Sequence, residues 1–450
     1  MKRIRILYGL IVAAMGLGVV IASAAMADGS DSGRKGPSKK SHEVWTIDQT
    51  DSRTGYGGYL HIYDGDDLQA DAAGAQPETV DLGGAANDLC LQKTGANAVR
   101  PHMLVFNGGD FDGPGGNRYA AISFVVSGHV LIIDARTREP LDCLRVSPGA
   151  GGAQQAHAMW PTRDQRYLVV ANQNGKLLQR IRTDYANRRF TLEPEATLSL
   201  YEGTTPSGAP KQDPALRPDN APICPRTTND GRFTFVSLRG GGAFVVDQNA
   251  SPMRIVAEYD RDAIDDNGCG QMQADDRMYV NAGAGAPGDL FGHKVYSFEL
   301  SQFRRTPSTT PNTPAPTLVY SREGEVDAHA VAVTKGEKYL LAGDRIQNDV
   351  TVVDTRRNEV VNRYSLVGPL SSDPAPDLFD LSPDGKTVYA SLRGPAPLSG
   401  GHDAIGATPG IGVIDVRRGG KDGAMVGLAP ARRSDGKPPD PHAIRVRTLG

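Results

Sequence analysis

The chain has 450 residues, 53 of them glycine and 31 proline, with 39% hydrophobic and 22% charged residues and a net charge of −3. Glycine and proline at this level without a collagen period mean many tight turns, and apolar runs that recur along the whole length exclude a disordered chain. The charge leaves no basic footprint for nucleic acid, and a single long apolar stretch excludes a multi-span membrane protein.

That stretch opens the chain. Lys2, Arg3 and Arg5 precede the uncharged run Ile6–Ile21, and Ala25-Met26-Ala27 supplies a small-residue cleavage signal. Residues 1–27 are therefore read as a secretory signal peptide without a twin-arginine pair. The alternative is an uncleaved anchor, because Ile6–Ala27 is just long enough to span a bilayer. Cleavage removes three positive charges, takes the net from −3 to −6 and leaves no membrane span. Residues 28–41, polar and rich in Gly, Ser and Lys, are expected to be a disordered leader. The expected location is periplasmic or secreted. Four cysteines follow, Cys90, Cys143, Cys224 and Cys269. An even count in an exported chain predicts disulfides, with three pairings open.

From residue 42 onward a unit repeats. It pairs a short strand with a polar turn, a β-branched strand, a second turn and further strands. Copies start at His157 (HAMWPTRDQRYLVVANQNGKLLQRI), Ile223, Gly268, His329 (HAVAVTKGEKYLLAG, then VTVVDT) and Asp377 (DLFDLSPDGKTVYASLRG), with a further start at His102. Asp-Gly and Asn-Asp between apolar runs mark hairpins. Four strands per unit of roughly 40–60 residues is the pattern of a propeller blade. Six units carry an innermost strand. The N-terminal segment supplies three strands, EVWTIDQ, YLHIYDG and PETVDLG, and lacks one. The C-terminus supplies the missing strand, Pro441-His442-AIRVRTL, whose start matches Pro101-His102 and Ala328-His329. The sequence thus predicts an all-β, seven-bladed β-propeller over residues 42–450, closed by the C-terminal strand joining the first blade, which removes open sheet edges. No amphipathic helix of three turns stands out. Residues 201–220, 305–316 and 394–410 are expected to be long loops between strands.

Ser382–Ser391 (SPDGKTVYAS), Val350–Thr355 (VTVVDT) and Ile411–Val416 (IGVIDV) resemble the repeat of secreted YVTN-type propellers, relatives of the lactonase-like seven-bladed group. The resemblance covers nearly all of the chain after residue 42. It implies the fold and leaves the activity open, since the group includes enzymes and binders.

Blade geometry predicts where a site would lie. The innermost strand starts at one channel mouth, and the second strand returns to it. His102, His157, His329, His442 and Asp377 lie at strand starts, and Asn172, Arg239, Arg345 and Arg393 at the returns. Imidazole titrates near neutral pH and ligates metals, while arginine offers a planar fork to carboxylate or phosphate. Three functions follow. The first is a binder of a small anionic ligand or a protein partner at the mouth, using His102, His442, Asp377, Arg393 and Asn172. The second is a hydrolase of the kind the lactonase-like resemblance implies, with His157 and His329 moving protons and Arg239 and Arg345 holding a carboxylate and a developing oxyanion. The third is a copper-dependent oxidoreductase with His102, His157, His329 and His442 as ligands. A histidine at a strand start can equally bond a neighbouring backbone carbonyl around the channel. Cys224 and Cys269 occupy corresponding positions in adjacent blades and are expected to form a disulfide, with metal thiolates as the alternative; Cys90 and Cys143 then pair near the outer edge of the first two blades. Trp45 and Trp160 are expected to pack between blades.

Overall fold

The computed structural model describes residues 41–109, 117–264, 269–283, 291–309, 313–399 and 405–449. The expected signal peptide, and the leader apart from Ser41, lie outside the described residues, as does Gly268. The described chain forms seven antiparallel sheets of four or five strands, arranged as the predicted propeller. In blade 1 the C-terminal strand Pro441–Thr448 is innermost. It pairs with His42–Asp48, which is followed by Tyr59–Asp64 and Glu78–Asp81. The innermost strands of blades 2 to 7 are Pro101–Phe106, Ala156–Pro161, Ala221–Thr227, Gln271–Ala274, Ala328–Val333 and Pro376–Leu381. No helix among the described residues is long and apolar enough to cross a membrane.

The strands form where β-branched and aromatic runs can bury both faces. In blade 6, Asp349–Asp354 (DVTVVD) is buried at every position, because blades pack face to face on either side. The outermost strand, Glu359–Ser365, mixes exposed and half-buried positions, since one edge meets water. Between blades 1 and 2, Trp45, Ile47, Leu60, Phe106, Ile122 and Phe124 fill the interface. Trp45 lies edge-on to Phe106 and under the Arg138 guanidinium, as the packing reading expected.

One local feature recurs and positions the site. The pairing of the first and second strands slips by one residue at the mouth in five blades, between Pro101 and Leu104, Ala156 and Ala158, Pro222 and Pro225, Ala328 and Val331, and Pro376 and Leu378. Blade 1 has a matching shift opposite Pro441–Ile444. A β-bulge re-aims a side chain without ending the strand. The bulged segments contain His102, His157, Ile223, His329, Asp377 and His442.

Two short helices were not anticipated, Gly65–Asp71 and Ala85–Thr94. The second falls just short of three turns, and its apolar residues follow no helical period. Gly95 ends it in a left-handed conformation at φ +74°, which favours glycine. The helix is held in two ways. Cys90 is bonded to Cys143 on the outermost strand of blade 2, the expected pair. The last helical residue, Thr94, meets His129, which is fully buried. The Thr94 hydroxyl donates to the Cys90 carbonyl, so His129 Nε2–H donates to Thr94 at 2.7 Å, and His129 Nδ1 accepts from Ser127 at 2.8 Å. This network needs neutral imidazole, and burial pushes the His129 pKa down to about 4.

Two predictions follow from these contacts. Ending the chain at Pro439 removes the closing strand and exposes two sheet edges; thermal melting should lose its single cooperative transition and size-exclusion chromatography should show self-association, whereas an unchanged melt contradicts closure. His129 has a folded pKa below its unfolded value, so its stabilisation is complete above about pH 6.5 and is lost as pH falls toward 4. Between pH 7 and pH 5 this amounts to about 2 kcal/mol. Urea midpoints at the two pH values should therefore differ less in His129→Gln than in the parent.

Candidate functional site

The bulges bring four histidines into one arc around the mouth of the channel. His157 and His102 approach at Nε2···Nε2 3.3 Å. The rings of His102 and His442 lie 3.9 Å apart between centroids, and those of His442 and His329 6.0 Å. Asp377 closes the arc, with its carboxylate 3.4 Å from His442 Nε2 and 3.3 Å from His329 Nδ1. One ligand atom from each of His329, Asp377 and His442 lies within 4.8 Å of the other two. All of these side chains are buried except His157, which stays half-buried.

The protonation of each ring is set by its Nδ1 partner. His157 Nδ1 lies 2.9 Å from the Ile223 carbonyl, His329 Nδ1 2.6 Å from the Asp377 carbonyl, and His442 Nδ1 3.1 Å from the His102 carbonyl. A carbonyl only accepts, so each Nδ1 carries the proton, and in the neutral ring Nε2 is the unprotonated nitrogen; His442 Nε2 faces the Asp377 carboxylate at 3.4 Å, whereas His157 Nε2 faces His102. These are the carbonyl bonds around the channel that a strand-start histidine was expected to make. His102 reaches the same state by another route. Its Nδ1 lies 3.1 Å from Gln49 Oε1. The Gln49 amide nitrogen donates to Asp440 at 3.2 Å and to Ser399 at 2.7 Å, which turns its oxygen toward His102. His102 Nδ1 is therefore also the protonated nitrogen. The consequence is that two Nε2 lone pairs face each other across 3.3 Å.

A proton or a metal ion placed between such a pair would relieve its repulsion. A proton is disfavoured. Burial pushes His157 and His329 down to about 4, and burial with the neighbouring imidazoles holds His102 well below the usual histidine value. Burial does the same to His442. Two nitrogens bound to one tetrahedral ion at the usual imidazole distance sit about 3.3 Å apart, the separation seen here. An Nδ1–H bonded to a carbonyl is also how metal-ligating histidines are normally oriented.

The charged groups around the arc pair with one another. Arg345 donates to Asp377 at 2.8 Å and to Asp327 at 2.7 Å. Arg393 donates to Asp377 at 2.9 Å, to Asp440 at 3.1 Å and to the Ser399 carbonyl at 2.7 Å. Burial alone would raise the Asp377 pKa, but Arg393, His442, His329 and Arg345 hold its carboxyl far below the usual range. Asp440 goes the other way, with burial pushing it up to about 6. Arg345 and Arg393 are 2% and 0% exposed, so neither guanidinium is presented to a ligand at the mouth. Three carboxylates, Asp327, Asp377 and Asp440, meet these two guanidiniums.

Two expected site residues do not join the arc. Arg239 occupies the position in blade 4 that Arg345 and Arg393 occupy in blades 6 and 7, since Pro222, Ala328 and Pro376 each face the residue before it. Blade 4 has Ile223 where blade 7 has Asp377, so no carboxylate draws the guanidinium inward. It pairs with Asp219 on the rim and is 46% exposed. Asn172 lies one residue earlier in the repeat and points away from the channel. It is a turn brace, accepting from the Gln155 and Gly175 backbone at 2.9 and 3.1 Å and donating to the Ser147 carbonyl at 2.8 Å. Cys224 and Cys269 form a disulfide beside His157, so they offer no thiolate to an ion.

Gln49, Asp327 and Asp440 belong to the site and were missed. Their signal was positional. Gln49 aligns with Arg345 and Arg393 in the repeat, because Asp48 faces Pro441 as Asp344 faces Ala328. Asp327 and Asp440 immediately precede Ala328-His329 and Pro441-His442.

No protein-family model and no curated protein matches the chain. Solved structures do. A periplasmic gluconolactonase from Pseudomonas aeruginosa aligns with a TM-score of 0.54 at 14% identity, covering 91% of this chain and 100% of its own. A hypothetical selenium-binding protein from Sulfolobus tokodaii gives 0.58 at 11% identity, over 90% and 93%. A protein from Lactobacillus plantarum gives 0.53 at 12%, over 90% and 99%. The chain has the fold of lactonase-like seven-bladed propellers. At these identities the likeness is one of fold, and function must be argued from the site.

The ion network makes one prediction. Asp377→Asn leaves Arg345 and Arg393 buried beside one fewer charge, and breaking a buried pair this way costs about 3–5 kcal/mol. Chemical denaturation should show a loss in that range; a loss below 1 kcal/mol would show that the network does not hold the mouth together.

Proposed function

We propose that this protein is an exported metalloprotein that holds one transition-metal ion, copper in the first instance, at the Nε2 atoms of His102 and His157, with His442 and His329 beside them in the arc, and acts on a small substrate at the channel mouth. The observation that carries this reading is the pair of facing lone pairs on His102 and His157, each forced by the acceptor at its Nδ1. An all-imidazole set suits copper and zinc, and copper(II) binds such nitrogen ligands most tightly among the first-row divalent ions. His157 keeps part of its surface open, so the ion would face the mouth there, as a catalytic metal must. Export is supported by the leader pattern and by two disulfides, which persist in oxidising compartments.

The lactonase-like alternative has the support of the fold neighbours, and for it and for the anion binder the difficulty lies in the arginines. Holding an anionic ligand or the carboxylate of a lactone product needs a free guanidinium at the mouth. Arg345 and Arg393 are taken up by three aspartates, and Arg239 stays on the rim with Asp219. Neutral imidazoles add no charge to attract an anion.

Elemental mass spectrometry on the full chain, exported and purified without chelator, tests the proposal. About one copper or zinc per chain is expected, falling below a tenth in a His102→Ala/His157→Ala double variant that keeps a cooperative thermal melt. A protein that emerges metal-free and takes up no copper on dialysis would overturn it and return the histidines to a structural role.

A further inference from the structure

The histidine position at the mouth occurs once in every blade. Blades 1, 2, 3 and 6 fill it with His442, His102, His157 and His329, and blade 7 fills it with Asp377. In blade 5 the residue there is Cys269. Asn281 and Ser123 each donate to the carbonyl of the next blade's histidine, and Gln271 faces Val280 beside Asn281 as Leu104 faces Ile122 beside Ser123. Cys269 therefore precedes Gln271 by two residues as His102 precedes Leu104. Blade 4 has Ile223 at this position and a sulfur on the next residue, Cys224. The two sulfurs are bonded to each other. His157, Cys224 and Cys269 each offer one ligand atom within 4.8 Å of the other two, so the imidazole arc and the sulfur pair meet at His157.

The two disulfides of this chain differ in what surrounds them. Cys90 and Cys143 are 0% and 3% exposed and sit in the core between blades 1 and 2, closed to any reagent. Cys269 stays half-buried at the mouth, and a cavity of about 50 Å³ is lined by Cys224 and Cys269 together with Met103, Met272, Arg226 and Arg445. That is room for one small ion. Thiolate and thioether sulfur select copper(I) among the biological metals. The guanidiniums oppose a bare cation, but copper(I) on two thiolates carries one net negative charge, and they do not oppose that. Opening this disulfide also leaves the two blades joined, because Gln271 of blade 5 donates to the Cys224 carbonyl at 2.8 Å and to the Ser237 hydroxyl at 3.0 Å.

We propose that Cys224–Cys269 is a redox-gated copper(I) site, in which reduction frees two thiolates that bind the ion together with His157. A small thiol supplies the electrons. Its thiolate attacks the more open sulfur, that of Cys269, and Cys224 leaves as a thiolate; a second thiol then cleaves the mixed disulfide. One S–S bond breaks in the protein and one forms in the reductant, while two electrons and two protons pass to the cysteines. Copper(I) binding releases those two protons. Oxidised, the pair offers no thiolate, and the gate is shut. The site does not depend on whether the imidazole pair holds an ion.

The test treats the full chain with dithiothreitol in the absence of denaturant and desalts it under argon. Peptide mapping after alkylation should find free thiols at Cys224 and Cys269 and an intact Cys90–Cys143 bridge. Copper(I) is then offered in competition with bicinchoninate. In His102→Ala, which breaks the imidazole pair and keeps the sulfur site, the reduced protein should hold copper(I) at least tenfold more tightly than the oxidised protein. Adding Cys224→Ser and Cys269→Ser should abolish that gain. X-ray absorption of the reduced, copper-loaded parent should show sulfur bound to the ion, and this result decides the matter should a variant fail to fold. A disulfide that resists dithiothreitol, equal copper(I) affinity before and after reduction, or nitrogen alone around the ion overturns the proposal. A parent that binds no metal when oxidised and takes copper(I) on sulfur when reduced upholds this site and overturns the imidazole reading.

Discussion

The mouth of this propeller is held by a ring of hydrogen bonds that cross from each blade to the next. Each bulged residue at a strand start offers its carbonyl to the preceding blade. Ser123 of blade 2 donates to the His157 carbonyl at 2.9 Å, and Asn281 of blade 5 donates to that of His329 at 3.1 Å. Ser391 of blade 7 donates to the His442 carbonyl on the closing strand. The imidazoles join the same ring, with His157 reaching blade 4, His329 blade 7 and His442 blade 2. Backbone acceptors cannot change their role, so the ring that closes the fold also sets the tautomer of three histidines. Structure and chemistry are here one set of bonds, and the same carbonyls that satisfy the bulges turn the Nε2 atoms toward the channel.

The charges around that ring explain why the arginines are not ligand groups. Asp377 is bonded by both Arg345 and Arg393, and each arginine reaches a second aspartate that precedes a mouth histidine. The network links blades 6, 7 and 1, the stretch that includes the closing seam. Buried ion pairs of this kind add specificity more than net stability, because desolvation offsets much of their attraction.

The fold was legible because its signals are local and repeated. Polar turns related to Ser382-Pro383-Asp384-Gly385, such as TNDGR and TKGEK, and β-branched runs related to VTVVD, such as IGVID, recur in varied form along the chain, and the orphan Pro441-His442 strand matched two other starts. The short helix Ala85–Thr94 was not legible, since a disulfide and one buried histidine hold it where an apolar stripe usually would. For the site, the repeat placed the histidines and Asp377 correctly at strand starts, but residue type misled at the returns. Arg239 and Arg345 look alike in sequence and differ in the structure because their blades carry Ile223 and His329 at the mouth, with Asp377 beside the latter. Gln49 was passed over because an amide carries no charge or catalytic reputation. Its importance comes from Asp440, which lies 391 residues away in the chain and orients it.

The central claim is that acceptors force the mouth histidines into the Nδ1–H form, leaving Nε2 free to bind an ion. Nitrogen-15 NMR of the histidine side chains, in chelator-treated protein at pH 7, tests it most directly, because protonated and unprotonated ring nitrogens differ widely in chemical shift. The account predicts His102, His157, His329 and His442 as neutral Nδ1–H tautomers, with their Nε2 signals shifting when copper(I) or zinc is added. Nε2–H tautomers or imidazolium at these positions would contradict it.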